Sequence, residues 1–317
     1  MSLYQRGSTG PEVERIQDRL QDLDHYHGPL DGIYGGGTES AVRAFQRAAE
    51  IQVDGIVGPQ TWEHLFEGEE ISEPAILDEP LDYRSLALTG SFETGVSPPD
   101  CFAGLSGDFD GQGISFGALQ WNLGQKSLQP LLEQMDEQHP EVMEEVFADH
   151  YSELKAVLDT SWEEQMNWAR AVQDRNRSVL YEPWRGLFKS LGRRKEFQDL
   201  QVDAARQLYG EAVDLAGEYG LSSERAVALM FDIKVQNGSI PRFVEQQIRR
   251  DIATLPEEED EQARLCILAN RRAEASKPRW VEDVRTRKLT IATGRGTVHG
   301  MHYELDQEYG IRLTQAI

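Results

Sequence analysis

The sequence predicts a mainly α-helical protein: a small three-helix domain, then a larger α domain carrying a short β-hairpin wing. Three observations predict it. A motif written twice near the start, Asp31-Gly32-Ile33-Tyr34-Gly35-Gly36-Gly37-Thr38 and Asp54-Gly55-Ile56-Val57-Gly58-Pro59-Gln60-Thr61, shares the frame D-G-I-x-G-x-x-T, and each copy runs into an amphipathic segment. Beyond residue 83, apolar residues recur with helical spacing through most of the chain. One stretch, Ser97–Asn122, breaks that pattern with Gly, Pro and Asp and short alternations of Phe, Ile and Trp. At 317 residues the chain exceeds one typical domain, so two are expected.

The doubled frame has a local physical meaning. Asp-Gly makes a turn with a left-handed glycine, the second glycine releases the chain, and Thr is expected to cap the helix that follows. Bracketing helices are Pro11–Leu23, with Val13, Ile16, Leu20 and Leu23 on one stripe, and the segment 41–47. After Leu65 the chain turns acidic with two prolines and no periodicity, which reads as a solvated linker. The expected division is therefore 1–66, a linker over 67–82, and 83–317. Within the last part the periodicity predicts helices over 85–93, 126–137, 139–158, 161–180, 196–219, 223–236, 241–253, 257–275 and 278–292.

Composition excludes several classes. A net charge of −23 repels nucleic acid. No run approaches the roughly 18 apolar residues of a spanning helix, so membrane insertion is not expected. Met1-Ser2-Leu3-Tyr4-Gln5-Arg6-Gly7 has no apolar core, so no classical signal peptide is expected there and synthesis in the cytoplasm is. Cys101 and Cys266 imply no disulfide framework, and two reduced, buried thiols are expected. The histidines show no zinc spacing, and no G-x-S-x-G or Cys/His nucleophile pattern is present.

The doubled frame and its bracketing helices closely resemble the three-helix peptidoglycan-binding domain of bacterial and phage cell-wall hydrolases, over residues 1–66. The resemblance implies peptidoglycan glycan strands as partner. Tyr34, Thr38, Phe45, Gln46 and Trp62 are the expected contact residues, with Phe45 and Trp62 read rather as hydrophobic core.

Two carboxylate-bearing segments carry the candidate chemistry. Leu86-Ala87-Leu88-Thr89-Gly90-Ser91-Phe92-Glu93 reads as an apolar helix ending in an acid, and a Glu behind Leu88 and Phe92 is expected to be partly desolvated and so protonated. Residues 107–117 form a glycine-rich turn bearing Asp108 and Asp110. A glycosidase needs one carboxyl on each side of the scissile bond, in different environments. As a calcium loop, the D-x-D-G start fails at its fifth and twelfth positions, Gln112 and Leu119, so no metal and no cofactor are expected.

Ser91-Phe92-Glu93, the Asp110-Gly111-x-Gly113 turn, Ser115 with Gly117, and the block Phe231-Asp232-Ile233-Lys234-Val235-Gln236-Asn237-Gly238 are similar to family 46 chitosanases. They resemble still more closely the chitosanase-like muramidase domains fused to type VI secretion spikes. With Arg271-Arg272 and Arg285–Arg287, the resemblance covers roughly 83–304 and implies a lysozyme-superfamily fold. It implies Glu93 as general acid, and Asp110 by strict alignment or Asp108 by spacing as the base. Ser115 would position water, with Gln112, Gln120, Trp121 and Asn122 along the sugar sites, Trp121 being equally readable as a core anchor. Asp232 is implied to be braced between Arg272 and Arg285 or Arg287. Gln112 stands where the chitosanase turn has Arg, which weakens the expectation of chitosan as substrate.

The expected function is thus a wall-anchored peptidoglycan hydrolase, monomeric, acting in the periplasm or on the wall after secretion or lysis. A secreted effector would also need an immunity protein and a secretion spike as partners. The rivals are a chitosanase with a wall-binding accessory domain, a non-catalytic wall-binding protein, and a lytic transglycosylase using one Glu and no base.

Overall fold

The computed structural model describes residues 4–8, 11–67, 69, 74–174, 176–256 and 260–316. It is mainly α-helical, with short antiparallel strands, and contains two compact units. The first comprises Met1–Leu88 and Gln207–Ile317, the second Thr89–Arg206.

The first unit begins with the helices Pro11–Asp22, Gly36–Ala48 and Pro59–Phe66. Their apolar faces meet in a core containing Val13, Ile16, Leu20, Val42, Phe45, Trp62 and Leu65. Each doubled frame turns on a left-handed glycine, Gly32 with φ 64° and Gly55 with φ 75°. The threonines differ from expectation. Gly35 and Gly58 occupy the N-cap positions. Thr38 and Thr61 lie inside the first turns, where their hydroxyls donate back to the Ile33 and Ile56 carbonyls at 3.4 and 3.2 Å. The helix starts too early for threonine to cap it.

A buried glutamine reads each turn. Gln17 Nε2 donates to Asp31 Oδ1 and the Ile33 carbonyl, and Gln17 Oε1 accepts from Gly32 N–H. Gln46 repeats this set on Asp54, Ile56 and Gly55. A glutamine without these partners would leave buried polar groups unpaired, which is why its side chain locks the turn to the preceding helix.

The linker predicted over 67–82 lies partly outside the described residues. From Pro74 it becomes a 3-10 turn, Ala75–Asp78, with Ile76 buried. Later in this unit the helix Glu224–Asn237 is capped by Ser223, whose hydroxyl accepts from Ala226 N–H at 3.1 Å. The helix is buried from Ala226 through Ile233. Glu261–Glu274, capped by Asp260, and Val281–Thr293 pack beside it. Residues 257–259 of the helix predicted over 257–275 lie outside the described residues. An unpredicted hairpin, Arg295–Val298 with Met301–Glu304, closes through His299 and Gly300, both at positive φ.

Glu308 follows that hairpin, and burial pushes its carboxyl up to about 7, against hydrogen bonds from Glu304 N–H and Gln5 Nε2, each 2.9 Å. The folded chain therefore binds a proton there that the unfolded chain releases near 4.5. Stability from this group is complete below 4.5 and is lost as pH rises through about 7, a change of about 3 kcal/mol. Urea titrations should show Glu308→Gln matching the parent at pH 5 and exceeding it at pH 8. Parallel pH curves for the two proteins would refute the assignment.

In the second unit the helix predicted over 139–158 divides into Pro140–Phe147 and Tyr151–Leu158. The break falls at Ala148, whose φ of 44° no α-helix accommodates. The helix predicted over 161–180 stops at Ala171, and a hairpin of Gln173–Asp174 with Val179–Leu180 follows. The cause is Asp174, whose carboxylate accepts from Asn176 N–H at 2.9 Å and so favours a turn over continued helix. Helix Trp184–Gly192 was not expected.

The Gly-rich stretch forms three short antiparallel strands, Leu105–Ser106, Ser115–Phe116 and Trp121–Asn122, in that order across the sheet. Phe116 anchors the middle strand. Its ring stacks on Phe197 and meets Phe188 edge-on, both with centroids 5.3 Å away. Cys101 is buried and Cys266 half-buried, and neither is in a disulfide.

Candidate active site

Glu93 lies in the last turn of helix Leu81–Thr94. The expectation that Leu88 and Phe92 would desolvate it is not met: both are buried while Glu93 is exposed. One residue along a helix is a rotation of about 100°, which carries Glu93 off the face that Phe92 buries. The helix end and the strand region approach closely at Gly90. A Cβ there would stand 2.8 Å from the Ala118 Cβ, so only glycine permits this approach. Gln201, fully buried, holds the same bend by accepting from Ala118 N–H at 2.8 Å and donating to the Phe102 carbonyl at 3.1 Å.

The two acids of the turn have different surroundings. Asp108 is half-buried. Its Oδ1 accepts from Gly113 N–H at 3.0 Å and its Oδ2 from Arg170 Nε at 3.1 Å. Burial raises its pKa, but the bonds from Gly113 and Arg170, with the Arg170 charge and Gly111 N–H, outweigh that and hold the carboxyl below the usual carboxylate range. Its backbone is fixed too. Asp108 N–H donates to Gln173 Oε1 at 2.7 Å, and Gly107 N–H to the Ser178 carbonyl at 2.9 Å. The hairpin of Gln173–Asp174 with Val179–Leu180 is thus the brace of the acid-bearing turn. Asp110 is exposed and accepts from Gln112 N–H at 3.1 Å.

Ser115 is buried in the middle strand, paired in register with Ser106 and Asn122. Gln120 sits at φ 53°, its amide bonded to the Gly117 carbonyl and its Oε1 accepting from Ser106. Asn122 is buried and accepts from Gln125 N–H at 2.8 Å, which makes it a turn brace. Trp121 and Gln112 are half-buried, and Trp121 packs against the aromatic core. Phe109, between the two acids, is 69% exposed.

Two side chains that hold Asp108 were missed. Arg170 supplies a cation to Asp108 where position 112 lacks one, and Gln173 positions its backbone; nothing in the sequence links either to a turn some 60 residues earlier. Phe109 was legible as an apolar residue between two acids.

Among wall-contact expectations, Tyr34, Thr38 and Gln46 are each buried to within 1%. They hold the turns from inside: Tyr34 Oη donates to the Gly55 carbonyl at 2.9 Å, and Gln46 grips the second frame. Phe45 and Trp62 are core. A cavity of ≈ 500 Å³ on this three-helix segment is lined instead by His25, Tyr26, His27, Pro29, Asp31 and Ile33, among others.

Asp232 is fully buried; of the expected partners Arg287 meets it and Arg272 and Arg285 do not, and the second cation is Lys288. Arg287 Nε and Nη2 donate to Oδ1 at 2.8 and 2.6 Å, and Lys288 Nζ to Oδ2 at 2.5 Å. Arg285 turns to Glu282 at 2.6 Å, because helical spacing puts residues 284, 287, 288 and 291 on the buried face. Among the described residues no three His, Cys, Asp or Glu converge as metal ligands would.

The family match lies in the first part of the chain. Residues 9–65 match the family described as putative peptidoglycan binding domain. The chain is 48% identical over 65 residues to a spore cortex-lytic enzyme of Bacillus subtilis (strain 168), covering 20% of this chain and 21% of the relative. It is 42% identical over 57 residues to an N-acetylmuramoyl-L-alanine amidase of Mycobacterium tuberculosis, covering 18% and 14% respectively. The chain thus spans about a fifth or less of the length of these two relatives. A solved chitosanase from Bacillus subtilis MY002 is similar at 17% identity and TM-score 0.44, with 75% of this chain and 92% of that chain covered. No helix among the described residues is long and apolar enough to cross a membrane.

Proposed function

We propose that the chain is a peptidoglycan hydrolase of the glycosidase kind, with residues 1–66 holding it on the wall and 83–317 cleaving β-1,4 bonds of the glycan strand. The observation that carries this reading is Asp108, a carboxylate kept ionised and immobile by Gly113, Arg170 and Gln173. A carboxylate so held suits a base that takes a proton from water, and Glu93, in the last turn of its helix, is given the acid's role by its place in the Ser91-Phe92-Glu93 segment. Asp110, exposed at the turn tip, serves the sugar rather than the water. Ser115 orients the water, and Gln112, Gln120 and Trp121 border the sugar sites. The match over residues 9–65 and the cortex-lytic relative support the wall as substrate.

Binding through one module raises the local concentration of glycan for the other. Action in the periplasm or on the wall, after secretion or lysis, follows from that substrate. Inversion is the proposed outcome, with water between carboxyls set about 6.5–9.5 Å apart.

Mass spectrometry of digested sacculi tests the proposal. Products with reducing N-acetylmuramic ends are expected. Anhydro products would replace it with a lytic transglycosylase, intact sacculi beside degraded chitosan with a chitosanase, and inertness towards both with a binding protein.

A further inference from the structure

The first unit holds a cavity of ≈ 500 Å³ lined by Gln236, Asn237, Arg272, Lys277, Trp280 and Asp283, among others. Arg272 is 7% exposed, yet its Nε and Nη1 have no hydrogen-bond partner, and the buried Oδ1 of Asn237 has none either. The acid expected to pair with Arg272 is occupied, since Asp232 takes both Arg287 and Lys288. Burial pushes Lys288 down to about 8, and the Arg272 charge adds to that depression. Asp232 therefore does not neutralise Arg272. On the rim, Lys277 adds a cation, while Asp283 is paired with His299 at 2.6 Å.

Buried guanidinium N–H groups without an acceptor are costly, and an anion entering the cavity would remove that cost. The other lining groups narrow the anion. Asn237 Oδ1 accepts from a hydroxyl or amide N–H, and the Trp280 indole, 49% exposed, offers a face for a sugar ring or a methyl group. An acidic sugar or its acyl-peptide extension carries all three features together. A glucosamine polymer carries the opposite charge.

Resting on the peptidoglycan reading above, we propose that this cavity binds a carboxylate of the wall polymer, with Arg272 and Lys277 on the acid and Trp280 on the adjoining ring or side chain. The site selects acidic wall glycan over cationic chitosan.

Isothermal titration of the full chain carrying Glu93→Gln, so that no ligand is turned over, tests this. The probes are N-acetylmuramic acid, whose carboxylate is lactyl, muramyl dipeptide, whose carboxylate is peptidic, the carboxamide of each, and a glucosamine oligomer. At least one acid should bind roughly tenfold or more tighter than its amide, as loss of a charge-assisted contact implies, and which acid does so identifies the source. Arg272→Met and Lys277→Ala should each reduce that preference. Lys277 and Trp280 lie on the rim, so Lys277→Ala and Trp280→Ala keep the test alive if Arg272→Met does not fold. Trp280→Ala should weaken acid and amide alike. Equal affinity for acids and amides, or an acid preference untouched by Arg272→Met and Lys277→Ala, would overturn the proposal. Hydrolysis of sacculi without any acid preference sinks the cavity alone; an acid preference lost in the variants, beside a parent inert on sacculi, sinks the hydrolase reading alone.

Discussion

Glu93→Gln is expected to lower glycan hydrolysis by about 10²- to 10⁴-fold. The amide keeps the shape and removes the proton that the departing oxygen needs. Asp108→Asn should cost a similar factor, because water would then lack its base. The pH profile separates the two roles. Asp108 is held below the usual carboxylate range, so its loss of activity through protonation sets in only at unusually low pH. Arg170→Leu removes a cation that favours the ionised form, so the acidic limb should move to higher pH. Reducing-end assays on purified sacculi from pH 3 to 8 give both readings. A Glu93→Gln protein as fast as its parent, or an acidic limb unmoved in Arg170→Leu, would remove the assigned roles.

The largest stability loss should follow Asp232→Leu, about 3–5 kcal/mol in urea unfolding. Asp232, Arg287 and Lys288 are each at most 2% exposed, and removing the one acid leaves two cations buried against each other. Energy is lost because the partners stay behind, so Asp232→Leu combined with Lys288→Met should cost less than Asp232→Leu alone. A loss below about 1 kcal/mol would mean that the cations reach water when the acid is gone.

Much of the framework was legible because it is written over a few neighbouring residues. The D-G-I frames predicted left-handed Gly32 and Gly55, and the helical periods placed Lys195–Glu218, Glu224–Asn237 and Arg242–Ile252 within a residue or so. Misreadings fell where one local choice overrode a periodic pattern. Ala148 at positive φ split one helix, and the Asp174 turn ended another in a hairpin. Glu93 was expected at a helix end, where it stands, but its exposure was not foreseen, since burial depends on which way a single residue faces. Tyr34, Thr38 and Gln46 were expected as contacts of the wall-binding segment, yet all three are buried and hold its turns from inside.

Turns, caps and helical stripes thus belong to the chain's own order, because their energies act between residues less than about one or two helical turns apart. Partner choice belongs to packing. Asp108 meets Arg170 across 62 positions, and Asp232 selects Arg287 and Lys288 across 55 and 56. Arg271, Arg272, Arg285 and Arg287 all stand in the segment from which Asp232 draws its partners. Helix rotation and burial select among them, since a buried carboxylate must be paired by whichever cation the packed face brings to it.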